Sequence, residues 1–240
     1  MKQLPRISAL AAGSALALGL VAGPAMAAGA TPGATAGAGK GGAGLSSVQA
    51  LAATRVNGRI AEIKALQMAV SAATNLTSAD KTSLSNLLST DLTAMNGLST
   101  KMAAQTTVAA VRADEVTMVD DYRIYLLVAP KTHLTIAFDT EASVITKLQG
   151  VYSVLSANVA KQTGGGTSAE KSELADMQTQ IGNAQSALNG QVSAVLAIQP
   201  GANAAAISGQ VKPLRTTAQG IRKDLGQADS DAKQVRTALK

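Results

Sequence analysis

From Ser46 to the C-terminus the apolar residues recur three and four positions apart, and only an α-helix gathers such positions onto one face. Val48, Leu51, Val56, Ile60, Ile63, Leu66 and Val70 form the first such run, with Gly58 as its weak point. Leu84, Leu87, Leu88, Leu92, Met95, Leu98 and Met102 form the second, after an Asn75-Leu76-Thr77-Ser78 break in which Thr77 or Ser78 caps the new helix and Asp80 sits near its positive end. After Thr163-Gly-Gly-Gly-Thr167, Thr167 and Glu170 make a T-x-x-E capping box. The seam that follows holds Leu174, Met177, Ile181, Ala184, Leu188 and Val195, with Gln191 as a polar intruder, until Gln199-Pro200-Gly201. Ile207, Val211, Leu214, Ala218, Ile221, Leu225, Ala228, Ala232, Val235 and Leu239 carry the pattern almost to the end, with Pro213 expected to kink that helix or start its longer part.

The region from about Thr107 to Lys161 stands apart, because Tyr122, Tyr125, Phe138 and Tyr152, the chain's entire aromatic content, lie within it. Its apolar centre, 122–138, is expected to pack on more than one side. The alternation of Leu134, Ile136 and Phe138 with small residues admits a β-hairpin. A helix kinked at Pro130 is preferred, since helical spacing flanks the proline and no tight-turn dipeptide follows it. The expected fold is therefore all-α: an elongated antiparallel helical bundle or set of coiled-coil hairpins, with helices near 46–74, 78–104, 107–161 kinked at Pro130, 168–198 and 203–239.

Ahead of this lies a different chemistry. Lys2 and Arg6 precede an uncharged apolar stretch from Ile7 to Val21, then Pro24 and Ala25-Met26-Ala27. That order reads as a cleavable signal peptide over 1–27 and predicts a secreted chain. Residues 28–44, nearly all Gly, Ala and Thr, read as a disordered tether. No cysteine is available for disulfides or a lipid anchor, so stability must come from packing. No segment after the leader is apolar enough to span a bilayer.

Candidate sites are few. His133 is the only histidine, and Asp120 or Asp139 would be needed to orient it as a general base. Together with Tyr122, Arg123 and Tyr125 it defines an alternative reading, a secreted enzyme or small-ligand binder with its site near Pro130. That reading requires His133 to face a concavity within hydrogen-bond reach of a carboxylate. The plainer expectation is a histidine one turn past a proline, exposed or satisfied by a carbonyl. Asp114 and Asp121, seven apart on a helix, are the candidate pair for a hard cation. Neither an EF-hand loop nor a Glu-x-x-His pair accompanies them, and a solvated face pairing Glu115 with Arg112 and Asp120 with Arg123 is the simpler account. No G-x-S-x-G occurs, and the glycines at 164–166 lack a phosphate-loop pattern. No catalytic residue, metal or cofactor is assigned.

The chain carries a net charge of +6, of which Lys2 and Arg6 belong to the leader. Such a mild excess with so little aromatic surface argues against specific nucleic-acid recognition. The last segment concentrates the excess: Lys212, Arg215, Arg222, Lys223, Lys233, Arg236 and Lys240 against Asp224, Asp229 and Asp231. These charges suit the outer positions of a coiled coil and would also attract an anionic polymer or headgroup. The expected partners are thus an anionic cell-wall polymer or a helical protein, and an unpaired seam would drive homo-oligomerisation.

The Ala-rich leader, the Gly/Ala tether and the run Asp121-Tyr-Arg-Ile-Tyr-Leu-Leu-Val-Ala-Pro-Lys-Thr-His-Leu134 resemble the uncharacterised secreted Ala-rich helical (coiled-coil) proteins of high-GC Gram-positive bacteria. The resemblance implies an extracellular or loosely wall-associated location and carries no catalytic residues with it. The expected function is that of a secreted, non-catalytic protein acting by contact with the cell envelope or a partner helix.

Overall fold

The computed structural model describes residues 44–240; the expected signal peptide and all but the last residue of the expected tether lie outside them. Within the described residues every regular element is helical: α1 (Leu45–Ala72), α2 (Ser78–Ala104), α3 (Val108–Asp120), a π-helical turn (Ile124–Val128), α4 (Ala129–Ala160), α5 (Ser168–Leu188), α6 (Gln191–Ala197) and α7 (Ala204–Ala238). The hairpin alternative for 122–138 is thereby excluded. Local chemistry sets most of the starts. The hydroxyls of Thr77, Thr107 and Thr167 accept from the N–H groups of Asp80, Ala110 and Glu170, and Asn203 caps α7 through Ala206. Glu170 also returns a bond to the Thr167 N–H, completing the capping box.

Two expected helices are interrupted. The 107–161 helix does not kink at Pro130; it breaks at Asp121–Arg123, where Arg123 adopts a left-handed conformation with φ 45°. A wide turn follows, in which the Val128 N–H reaches the Arg123 carbonyl at 3.3 Å. Pro130 is the second residue of α4 and follows the π-turn directly, with Val128 and Ala129 already helical. The π-turn takes up the distortion that a straight helix would have concentrated on the carbonyl facing the ring. The 168–198 helix breaks at Asn189–Gly190, with Gly190 left-handed at φ 75°. By contrast α7 continues through Pro213 without interruption, since the proline lies on the solvent face and the carbonyl it frees can bond water.

Two apolar clusters succeed one another along α4. The first joins α1, α2 and α3 to the π-turn and the start of α4, with Ile63, Leu66, Leu84, Leu88, Met95, Met102 and Met118 nearly inaccessible. The second joins the rest of α4 to α5, α6 and α7 around Phe138. Cross-helix bonds give the directions. Gln49 at the start of α1 donates to the Met102, Ala103 and Gln105 carbonyls at the end of α2, so α1 and α2 are antiparallel. Gln149 with Gln185, Tyr152 with Gln178 and Gln162 with Glu170 run α4 and α5 antiparallel. The α5 and α7 seams meet each other within the chain. One expected core residue is displaced: Leu51 is half exposed, and Ala52 takes the buried place beside Val48 and Val56.

Candidate functional site

Residues 120–141 cross from one cluster to the other, and the polar side chains of this stretch do structural work. Arg123 donates from Nε to the Gly201 carbonyl at 2.8 Å and from a terminal nitrogen to the Ala202 carbonyl and to Asp120, both at 2.6 Å. Its guanidinium thus clamps the α6–α7 loop to the break before the π-turn. Tyr125 lies on the other side, at the surface over α1: Arg59 stacks 5.4 Å from its ring centroid, and a Cβ on Gly58 would stand 3.2 Å from its hydroxyl. His133 is half-buried, and burial holds its pKa below the ordinary value against the opposing charge of Glu62. Neither Asp120 nor Asp139 orients it: Asp120 binds Arg123, and Asp139 accepts from the Thr77 N–H at 2.8 Å. The alternative constellation of His133, Tyr125 and Arg123, with Tyr122, therefore lacks the hydrogen-bonded carboxylate it requires.

The acidic candidates also separate. Asp114 is buried and binds Lys101 and Gln105, each at 2.6 Å, and the Lys101 bond holds its carboxyl below the usual range. Asp121 is exposed. A carboxylate already neutralised by a lysine is a poor cation ligand, so the Asp114–Asp121 pairing is not realised. Asp120 does pair with Arg123, whereas Glu115 pairs with Arg55 of α1 at 2.6 Å and not with Arg112.

A further set of charges is buried in the helical seams. Lys131 donates to the Leu196 and Ile198 carbonyls at 3.1 and 2.7 Å, and burial lowers its pKa against the charge of Asp91. Asp91 is itself buried, one of its oxygens has no partner, and burial pushes its pKa up to about 6. Burial likewise raises Asp139. Glu141 is almost inaccessible and accepts from Arg222 of α7 at 2.9 Å through one oxygen while the other is unpartnered; burial pushes its pKa up to about 7 against the pull of Arg222. A signal for these was present. Asp91 stands between Leu88 and Met95, Asp114 between Val111 and Met118, Glu141 between Phe138 and Ile145, and Glu170 four before Leu174. Each occupies a place where the three-four period calls for an apolar residue.

The surface is the complement of that pattern. Of the 18 Lys and Arg residues in 44–240, 14 are exposed, whereas of the 15 Asp and Glu residues only Asp121 and Asp176 are. Six acids are buried and seven more half-buried, while most bases project outward, so the most exposed charges are predominantly basic. On α7 the separation is angular. With Val211, Leu214, Ala218, Ile221, Leu225 and Ala228 turned to the core, steps of about 100° per residue set Arg215, Arg222 and Arg236 along one edge of the seam. Lys212, Lys233 and Lys240 lie next to them, Asp224 and Asp231 follow the opposite, less accessible edge, and Asp229 stands on the basic edge between Arg222 and Arg236. Among the described residues Arg222 pairs with Glu141 and Lys233 with Asp229; Lys212, Arg215, Lys223, Arg236 and Lys240 have no acidic partner.

These features define an all-α helical bundle with a segregated charge distribution. No helix among the described residues is long and apolar enough to cross a membrane. Comparison with protein-family models, with curated proteins and with solved structures finds no match for the chain.

Proposed function

We propose that this chain is an exported, non-catalytic helical protein that works by electrostatic contact with anionic polymer of the cell envelope. The supporting observation is the uneven exposure of charge among the described residues: six of the 15 acids are buried and seven half-buried, leaving two exposed, whereas 14 of the 18 cations are exposed. Such a surface attracts polyanions through many weak, additive and salt-screened contacts. Export rests on the basic-apolar-AxA leader at 1–27. The partner-helix alternative is weaker, because the α5 and α7 seams are occupied by each other and by α4.

Two measurements test this reading. The N-terminal sequence of chain recovered from the medium of an exporting host should begin at or near Ala28. That chain should sediment with purified cell walls at low ionic strength and be released by about 0.5 M salt, where the screening length falls below about 5 Å. Salt-independent retention, or no retention at low salt, would overturn the reading.

A further inference from the structure

We infer that the basic edge of α7 is the docking surface, and that its occupant is a linear phosphodiester polymer of the wall, a poly(alditol phosphate). The inference rests on the function proposed above and goes further by naming one face and one chemistry. Three features of α7 carry it. The cations are concentrated on one side: Lys212, Arg215, Arg222, Lys223, Lys233 and Arg236 share the same edge and its outer flank, all exposed, with Asp229, half-buried and paired with Lys233, as the one acid in that row. They extend over about 36 Å at 1.5 Å per residue, a one-dimensional track that matches a chain with one charge per repeat better than a compact anion. The track is available, since Lys212, Arg215, Lys223 and Arg236 are not engaged by any acid among the described residues.

The same helix argues against the other polyanions of an envelope. A helix that lies on a lipid surface inserts an apolar face between the headgroups. The apolar face of α7 is spent on the core, and none of the exposed large apolar side chains, Leu51, Met68, Val116, Tyr125 and Val154, belongs to it. Single-stranded nucleic acid is held by stacking on aromatic rings, and every aromatic of the chain lies between residues 122 and 152. A flexible polymer of phosphates without bases or tails needs only the row of cations that α7 supplies.

The test compares charge-matched variants of the full chain recovered from an exporting host. One carries Lys212→Gln, Arg215→Gln and Lys223→Gln; the control carries Lys64→Gln, Lys147→Gln and Lys161→Gln, three exposed cations on α1, α4 and the end of α4. Both lose the same charge from solvent-facing positions, and circular dichroism confirms equal helicity. The probes are poly(glycerol phosphate), vesicles of phosphatidylglycerol and phosphatidylcholine, and a single-stranded oligodeoxynucleotide with the same number of phosphates. If three phosphate contacts are lost, the slope of log affinity against log salt falls by about 2, which at 0.1 M salt is about a hundredfold in affinity. That loss is expected for the α7 variant on poly(glycerol phosphate), with the control within about threefold of the parent. Equal weakening of the two variants overturns the α7 assignment while leaving general wall attraction standing. Tighter binding to vesicles or to the oligonucleotide than to poly(glycerol phosphate) overturns the choice of polymer, and absence of binding to purified walls by the parent chain removes the underlying function itself.

Discussion

Glu141 turns the burial of seam acids into a pH dependence of stability. Its carboxyl lies almost wholly inside the second cluster with one oxygen on Arg222 and the other unpartnered, and burial raises its pKa from 4.5 to about 7. A group that holds its proton more tightly when folded stabilises the fold below its unfolded pKa, and this contribution is lost as pH rises through the folded pKa. At roughly 1.4 kcal/mol per pH unit, the full swing for Glu141 is about 3 kcal/mol, most of which falls between pH 5 and pH 8. Asp91, raised from 3.8 to about 6, adds a smaller increment of the same sign at lower pH. His133, whose pKa burial lowers, contributes with the opposite sign as it is protonated toward pH 5, so the Glu141 share is read by comparing variants in urea unfolding followed by far-ultraviolet circular dichroism. Glu141→Gln keeps an oxygen for the Arg222 donor and cannot ionise. The difference between the pH responses of parent and variant from pH 5 to pH 8 should be about 2–3 kcal/mol, or roughly a 1 M change in urea midpoint, the parent losing the more as pH rises. Parallel pH profiles for parent and Glu141→Gln would refute the reasoning.

Other substitutions separate backbone from side-chain effects. Arg123→Ala loses the guanidinium bonds to Gly201 and Ala202 and should cost about 3 kcal/mol. Arg123→Gly loses the same bonds but relieves the left-handed backbone, and should cost about 1 kcal/mol less; identical denaturant midpoints for the two would contradict the strain. Gly166→Ala should lower the thermal midpoint sharply, since its φ is +85° and a Cβ would meet the Val159 Cγ1; the expected cost is about 2 kcal/mol or more. Gly150→Ala, within α4 and with open space around the new methyl, should instead gain about 0.5–1 kcal/mol. Phe138→Ala empties the largest inaccessible side chain of the second cluster and should cost about 3–5 kcal/mol by chemical denaturation.

Much of the fold is legible along the chain because its determinants are local. The Thr77 and Thr167 caps act within one turn of the helices they start, and the seam of α7 is buried along its length as its spacing requires. The π-turn and the left-handed Arg123 are not legible in this way. A proline is the visible irregularity of that region, whereas the break seven residues earlier depends on the Gly201 and Ala202 carbonyls that capture the Arg123 side chain from far along the chain. For the same reason the candidate site around His133 dissolves: its partners Asp120 and Asp139 are claimed by Arg123 and by the Thr77 N–H. The functional reading moves to the surface, where no motif marked it.

Sequence by itself determines that this chain is helical, where most of its helices begin and end, and which residues form the seams, because periodicity and capping are properties of neighbours within a turn. Tertiary structure alone decides where the long central segment breaks, which seams pair, and which charges reach water. Asp91, Asp114, Glu141 and Glu170 count equally with every other acid in the composition, yet packing buries them, while most of the basic residues on the outer positions stay exposed.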